Sequence, residues 1–107
     1  MTDLTKYERE STFKTRTHWI SGSTDIDPSG QKSYLSVWKA DGTKLLDDVE
    51  CTRSALGYYH YYVSTNSVDP LGIYIVDHWG WFGYGSPWNY MPKHNKECIQ
   101  LVKVKQA

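Results

Sequence analysis

The chain has 107 residues, with twelve Lys and Arg against twelve Asp and Glu. At roughly 100–200 residues per domain, that length holds one domain. The zero formal net charge argues against a nucleic-acid-binding module, whose affinity comes mainly from cations set against phosphates. Aromatic residues stand out instead: five Trp, nine Tyr and two Phe make up 15% of a polar chain.

Residues 1–11 (MTDLTKYERES) show no periodicity and read as a flexible or docking arm. They lack the apolar stretch of a secretory leader. No run along the chain reaches the ~18 apolar residues of a membrane span, so no membrane partner is expected. Thr12–Ile20 alternates and is rich in Thr, aromatic and β-branched residues, as a strand should be. Ser21–Gly30 is a dense turn cluster. Gln31–Lys39 reads as the next strand, with Leu35 and Val37 on one face and Tyr34 and Trp38 on the other. Asp41-Gly42 marks a hairpin turn. Lys44–Leu46 and Val49–Arg53 read as short strands around an Asp47-Asp48 break.

Gly57 opens the strongest strand signal, Tyr58–Val63, and Gly72–Trp79 is another. The spacing of Asp69, Gly72 and Tyr74 suits a tight turn entering a late strand. In Ig-like sandwiches a Tyr there ties its hydroxyl to upstream backbone; in other β folds it is an ordinary half-buried Tyr. Ile73 and Ile75 on one face, and Tyr74 and Val76 on the other, make this strand apolar on both sides. One face can meet an opposing sheet. The second needs cover from the 80–96 segment, the N-terminal arm or another subunit. Gly80–Lys96 carries three Gly and two Pro and reads as a long loop before the closing strand, Glu97–Lys105. About seven strands and no helical periodicity predict an all-β fold: a single Ig-like antiparallel β-sandwich over residues 12–107, with a long aromatic loop before its last strand.

Most of the aromatic excess falls in WGWFGYGSPWNY, which holds Trp79, Trp81, Phe82, Tyr84, Trp88 and Tyr90. These six are the candidate binding residues. The segment reads as a protein interface, where Trp and Tyr are frequent anchors, as a stacking platform for sugar rings, or as a lid over one sandwich face. Stacking on single-stranded nucleic acid is disfavoured by the scarcity of nearby cations. Tyr58, Tyr59, Tyr61, Tyr62 and Tyr74 fit ordinary strands.

Other motifs point away from catalysis. Asp25 to Gly30 begins like a calcium loop, D-x-D-x-S-G, but position 12 is Ser36 rather than Glu. It reads as a turn whose carboxylates cap backbone N–H groups. His18, His60, His78 and His94 show no metal-binding spacing, and no G-x-S-x-G or P-loop is present. Cys51 and Cys98, 47 residues apart, read as separate core thiols, with an inter-strand bridge as the other option. Neither a catalytic residue, a metal site nor a cofactor is predicted.

The order of these motifs carries a resemblance. Thr12-Phe13, the Asp27-Pro28 turn, Leu35–Trp38 with Asp41-Gly42-Thr43, Leu56–Tyr61 and Leu71–Tyr74 resemble small Ig-like β-sandwich proteins encoded among the structural genes of tailed viruses of bacteria and archaea. The resemblance covers residues 12–79 and 97–104, and leaves out the arm and the aromatic segment. It implies a non-enzymatic virion component (capsid decoration, neck or tail accessory) made in the host cytoplasm. Its implied partners are other virion proteins, in a homo-oligomer or symmetric assembly. A carbohydrate-binding module, with glycans as partners and Trp81, Trp88 and Tyr84 as platform, is the alternative.

Overall fold

The computed structural model describes residues 4–83 and 90–103. These residues form ten strands and no α-helix. In chain order they are β1 (Thr5–Glu8), β2 (Thr12–His18), β3 (Ile20–Ser21), β4 (Thr24–Asp25), β5 (Tyr34–Trp38), β6 (Lys44–Glu50), β7 (Thr52–Ala55), β8 (Tyr58–Ser64), β9 (Gly72–Gly83) and β10 (Tyr90–Val102). A five-stranded sheet runs β1-β10-β9-β5-β6 and a three-stranded sheet runs β2-β8-β7; β3 and β4 make a small separate hairpin.

Alternation builds the core between the two larger sheets. Phe13, Thr15 and Thr17 of β2 are buried while their neighbours are exposed, and Tyr59 and Val63 of β8 face the same way. Leu35, Val37, Tyr74, Val76, Ile99 and Leu101 come from the five-stranded sheet, and all of these apolar residues join one hydrophobic cluster. The chain is all-β, and two sheets sharing one core are compatible with a β-sandwich.

Three segments differ from the sequence reading, which also expected about seven strands. Thr5–Glu8, read as part of an arm, adds to the sheet as β1, parallel to β10 with Thr5 opposite Ile99. The Arg9 N–H donates to the Val102 carbonyl (2.8 Å), and Tyr7 stacks on Phe13 at 4.1 Å. These contacts dock the segment on its own chain. The Asp47-Asp48 pair does not break a strand either: β6 runs through it, with Asp48 at φ 51° and a register shift against β5 between the Leu35–Val49 and Val37–Leu46 pairs.

The third difference is the largest. Where a long aromatic loop is expected over residues 80–96, the described parts, 80–83 and 90–96, belong to a continuous antiparallel ladder that runs from Leu101 opposite Gly72 to Tyr90 opposite Gly83; residues 84–89 lie outside the described residues. Gly80 sits inside a strand because a Cβ there would lie 2.8 Å from the Pro28 ring. Pro92 fits because β1 reaches only Ile99–Val102, so among the described residues β10 has just one neighbour where Pro92 faces Trp81. A proline at such an edge forfeits no ladder bond on the open side.

Candidate functional site

The period-2 alternation of β9 turns Ile73, Ile75, Asp77, Trp79 and Trp81 to the side away from the core. The register sets them beside Pro92, His94, Lys96 and Cys98 of β10, and beside Ser36 and Trp38 of β5. Ile73 and Ile75 are 44% and 41% exposed. Neither β1, which lies in the plane of the sheet, nor residues 80–83 and 90–96, which extend it, cover them.

Trp38 divides this face into two depressions. The first, about 460 Å³, is lined by Trp38, Ile73, Ile75, Lys96 and Cys98. The second, about 320 Å³, has an aromatic rim and a polar floor, with Trp79, Trp81, Pro92, His94, Asp48 and Asp77 among its lining. Trp79 is fixed from three sides. Its Nε1–H donates to Asp48 Oδ1 (2.9 Å), its ring leans on Tyr34 at 5.0 Å, and it stacks on His94 at 5.9 Å. Trp81 stands edge-on to it, at 78° and 5.7 Å. Asp48 also accepts from the Ser36 hydroxyl (2.7 Å). Hydrogen bonds from Ser36 and Trp79 hold its carboxyl below the usual range. The buried Asp77 carboxylate accepts from His94 Nδ1 at 2.9 Å.

The candidate binding residues therefore separate. Trp79 and Trp81 share the outer face. Phe82, one step on, points into the core against Trp19 at 5.2 Å and is 7% exposed, so it cannot belong to that surface. Tyr84 and Trp88 lie outside the described residues, as does the Tyr90 side chain. Trp38, Asp48, Asp77 and His94 were not singled out as site residues. Carrying the alternation of Ile73 and Ile75 through Gly80 to Trp81 would have exposed the pattern.

Asp69, Gly72 and Tyr74 shape the turn into β9. The Tyr74 hydroxyl donates to the Pro70 carbonyl at 2.7 Å, and Gly72 takes φ 133°. Burial opposes ionisation of Asp69, but Lys39 and the Asn66 N–H outweigh it and hold the carboxyl low. The Lys39–Asp69 separation is 2.9 Å.

In the Asp25–Gly30 turn the two carboxylates have separate partners. Asp25 meets His18 (2.7 Å), while Asp27 accepts from Arg53 (2.9 Å) and from the Gly57 N–H (2.9 Å). Among the described residues no group of three or more His, Cys, Asp or Glu could hold a metal, and no helix is long and apolar enough to cross a membrane.

The cysteines are separate thiols, but only Cys51 is buried; Cys98 is exposed on the outer face. Outward alternation, set by its place opposite Ile75, removes Cys98 from the core the sequence assigned it to. Burial pushes the Cys51 thiol up to about 12. Native protein treated with a maleimide at neutral pH is expected to label at Cys98 alone, and at both after denaturation. Intact mass measurement distinguishes the two outcomes.

Comparisons with protein-family models, with curated proteins and with solved structures returned no match.

Proposed function

We propose that the chain is a non-enzymatic structural protein of a virion, an Ig-like β-sandwich that works by contact with neighbouring copies or other virion proteins. The observation that carries the contact reading is the uncovered strip of Trp38, Ile73 and Ile75. Aliphatic groups at over two-fifths exposure on the middle of a sheet gain about 25 cal/mol per Å² when a partner covers them. Specific interfaces bury roughly 800 Å² on each side, within reach of a sheet face this size. The Tyr74–Pro70 hydrogen bond supports the Ig-like reading, since it has the form of a tyrosine corner. The virion setting rests on the motif order shared with small sandwich proteins of tailed viruses.

An Ile75→Asp variant tests this. It places a carboxylate in the strip, and a buried unpaired charge costs several kcal/mol on association. Incorporation into particles is expected to be lost, while the isolated variant keeps its circular dichroism spectrum and melting temperature. Cys98, in the same depression, supplies a second readout: its maleimide labelling is expected to fall in particles relative to the free chain. Normal incorporation of Ile75→Asp with unchanged Cys98 labelling would remove the basis of the proposal.

A further inference from the structure

We propose that the depression between Trp79, Trp81 and His94 binds a neutral pyranose unit of a glycan, stacked on the Trp81 indole and hydrogen-bonded by a His94 ring that Asp77 holds in place. This site lies beyond Trp38 from the apolar strip and does not depend on the contact function.

Three features select that ligand. The first is the platform. Trp81 is 43% exposed, and the Trp79 ring beside it is held by Asp48, Tyr34 and His94. Trp79 is thus set before a ligand arrives and Trp81 stands edge-on against it, which lowers the ordering cost of binding. An indole face is electron-rich, and the C–H face of a pyranose is apolar and weakly positive, so the two surfaces match.

The second is the polar group. The Asp77 side chain is only 4% exposed, while that of His94 is 44% exposed. A carboxylate cannot donate, so Nδ1 must carry the proton in this bond. That leaves Nε2, with no protein partner among the described residues, held in place to hydrogen-bond a sugar hydroxyl, which can both donate and accept.

The third is charge. Asp77 is engaged by His94, Asp48 by Ser36 and Trp79, and Lys44 by Asp47 at 2.8 Å. The strongest polar groups of the cleft are already hydrogen-bonded within the protein and its carboxylates disfavour an anion, while its aromatic surface and remaining hydrogen-bonding capacity suit a polyol. Its volume, about 320 Å³, is at the lower end for small-molecule sites and matches one ring. Trp81 also borders a second hollow of about 540 Å³ with Ser29, Gly30 and Lys32, an arrangement suited to consecutive units of an oligosaccharide.

The full chain is titrated with maltohexaose, cellohexaose, chitohexaose and mannohexaose to about 10 mM, a range that captures even millimolar affinity. Tryptophan fluorescence and calorimetric heat are followed together. A saturable change with at least one of them is expected. Trp81→Ala should weaken it by about tenfold or more while the variant keeps the circular dichroism spectrum of the folded wild type. His94→Asn keeps a donor toward Asp77 but removes Nε2, and should weaken binding by a similar factor. Ile75→Asp, at the other end of the face, should bind as the wild type does. Flat titrations with all four sugars overturn the proposal. So does binding that survives both Trp81→Ala and His94→Asn, or a protein partner that displaces no sugar yet requires the same two residues.

Discussion

Asp27→Ala is expected to cost about 3–4 kcal/mol of stability, the sum of leaving a buried hydroxyl and a backbone N–H without an acceptor, and to lower the melting temperature by about 12–20 °C. The side chain joins three parts of the chain. It accepts from Arg53 Nη2 at 2.9 Å, from the Gly57 N–H at 2.9 Å and from the Tyr59 hydroxyl at 3.0 Å. Tyr59 is 1% exposed, so its orphaned hydroxyl finds no water. Arg53 is more open, and its guanidinium rehydrates at little cost. Gly57 is there because its φ is 80° and a Cβ would come within 2.7 Å of the Trp19 carbonyl. Asp27→Asn, which keeps one acceptor oxygen, should lose about half as much. Arg53 first, against some desolvation, holds the Asp27 carboxyl below its ordinary 3.8. Its contribution is present above that value and is lost as pH falls through the folded-state value. Chemical denaturation of the three proteins at neutral pH checks the ranking.

Wild-type protein is expected to lose on the order of 3 kcal/mol between pH 6.5 and pH 4 through His78 alone. The ring is 1% exposed. Its Nδ1 lies 3.7 Å from Cys51 Sγ, and its Nε2 has no partner among the described residues. Burial, opposed only weakly by Asp77, lowers it from 6.5 to about 4. Within that window the unfolded chain binds a proton that the folded chain refuses, so stability rises with pH and falls on acidification. A His78→Gln variant should show a flatter profile over the same range, and the difference between the two profiles isolates this ring from the carboxylates. Urea unfolding at pH 7, 5.5 and 4 measures it. Parallel profiles would mean that the ring is protonated in the folded state.

Much of the core could be read from the residues. Strands β2 and β8 alternate cleanly, and Leu35 and Val37 were assigned to one face of β5. The Asp41-Gly42 turn forms, with Gly42 at φ 89° and its N–H on the Lys39 carbonyl. These features are local, fixed by alternation and by single-residue conformational freedom. What escaped depends on distant neighbours. Gly80 looks like a strand breaker until Pro28 is seen against it, and Pro92 looks like a loop residue until β1 is seen to stop short. Thr5–Glu8 has no strand pattern because β1 buries little; its order comes from pairing with β10. The same blindness affected the site. Six rings close in sequence were treated as one group, although alternation sends Phe82 inward and Trp79 and Trp81 outward. Their polar neighbours Asp48 and His94 arrive from other strands.

Pro92 also bears on what the open edge of the sheet can accept. An open strand flank offers unpaired amide groups that a second chain can extend without limit, which is the route to fibres. A proline on the flank of β10 withholds a donor there. On the opposite flank of the sheet, the Asp48 backbone at φ 51° interrupts the regular run of β6. Each of the two interruptions makes its own stretch of edge, the open part of β10 and the middle of β6, a poorer template for an added strand.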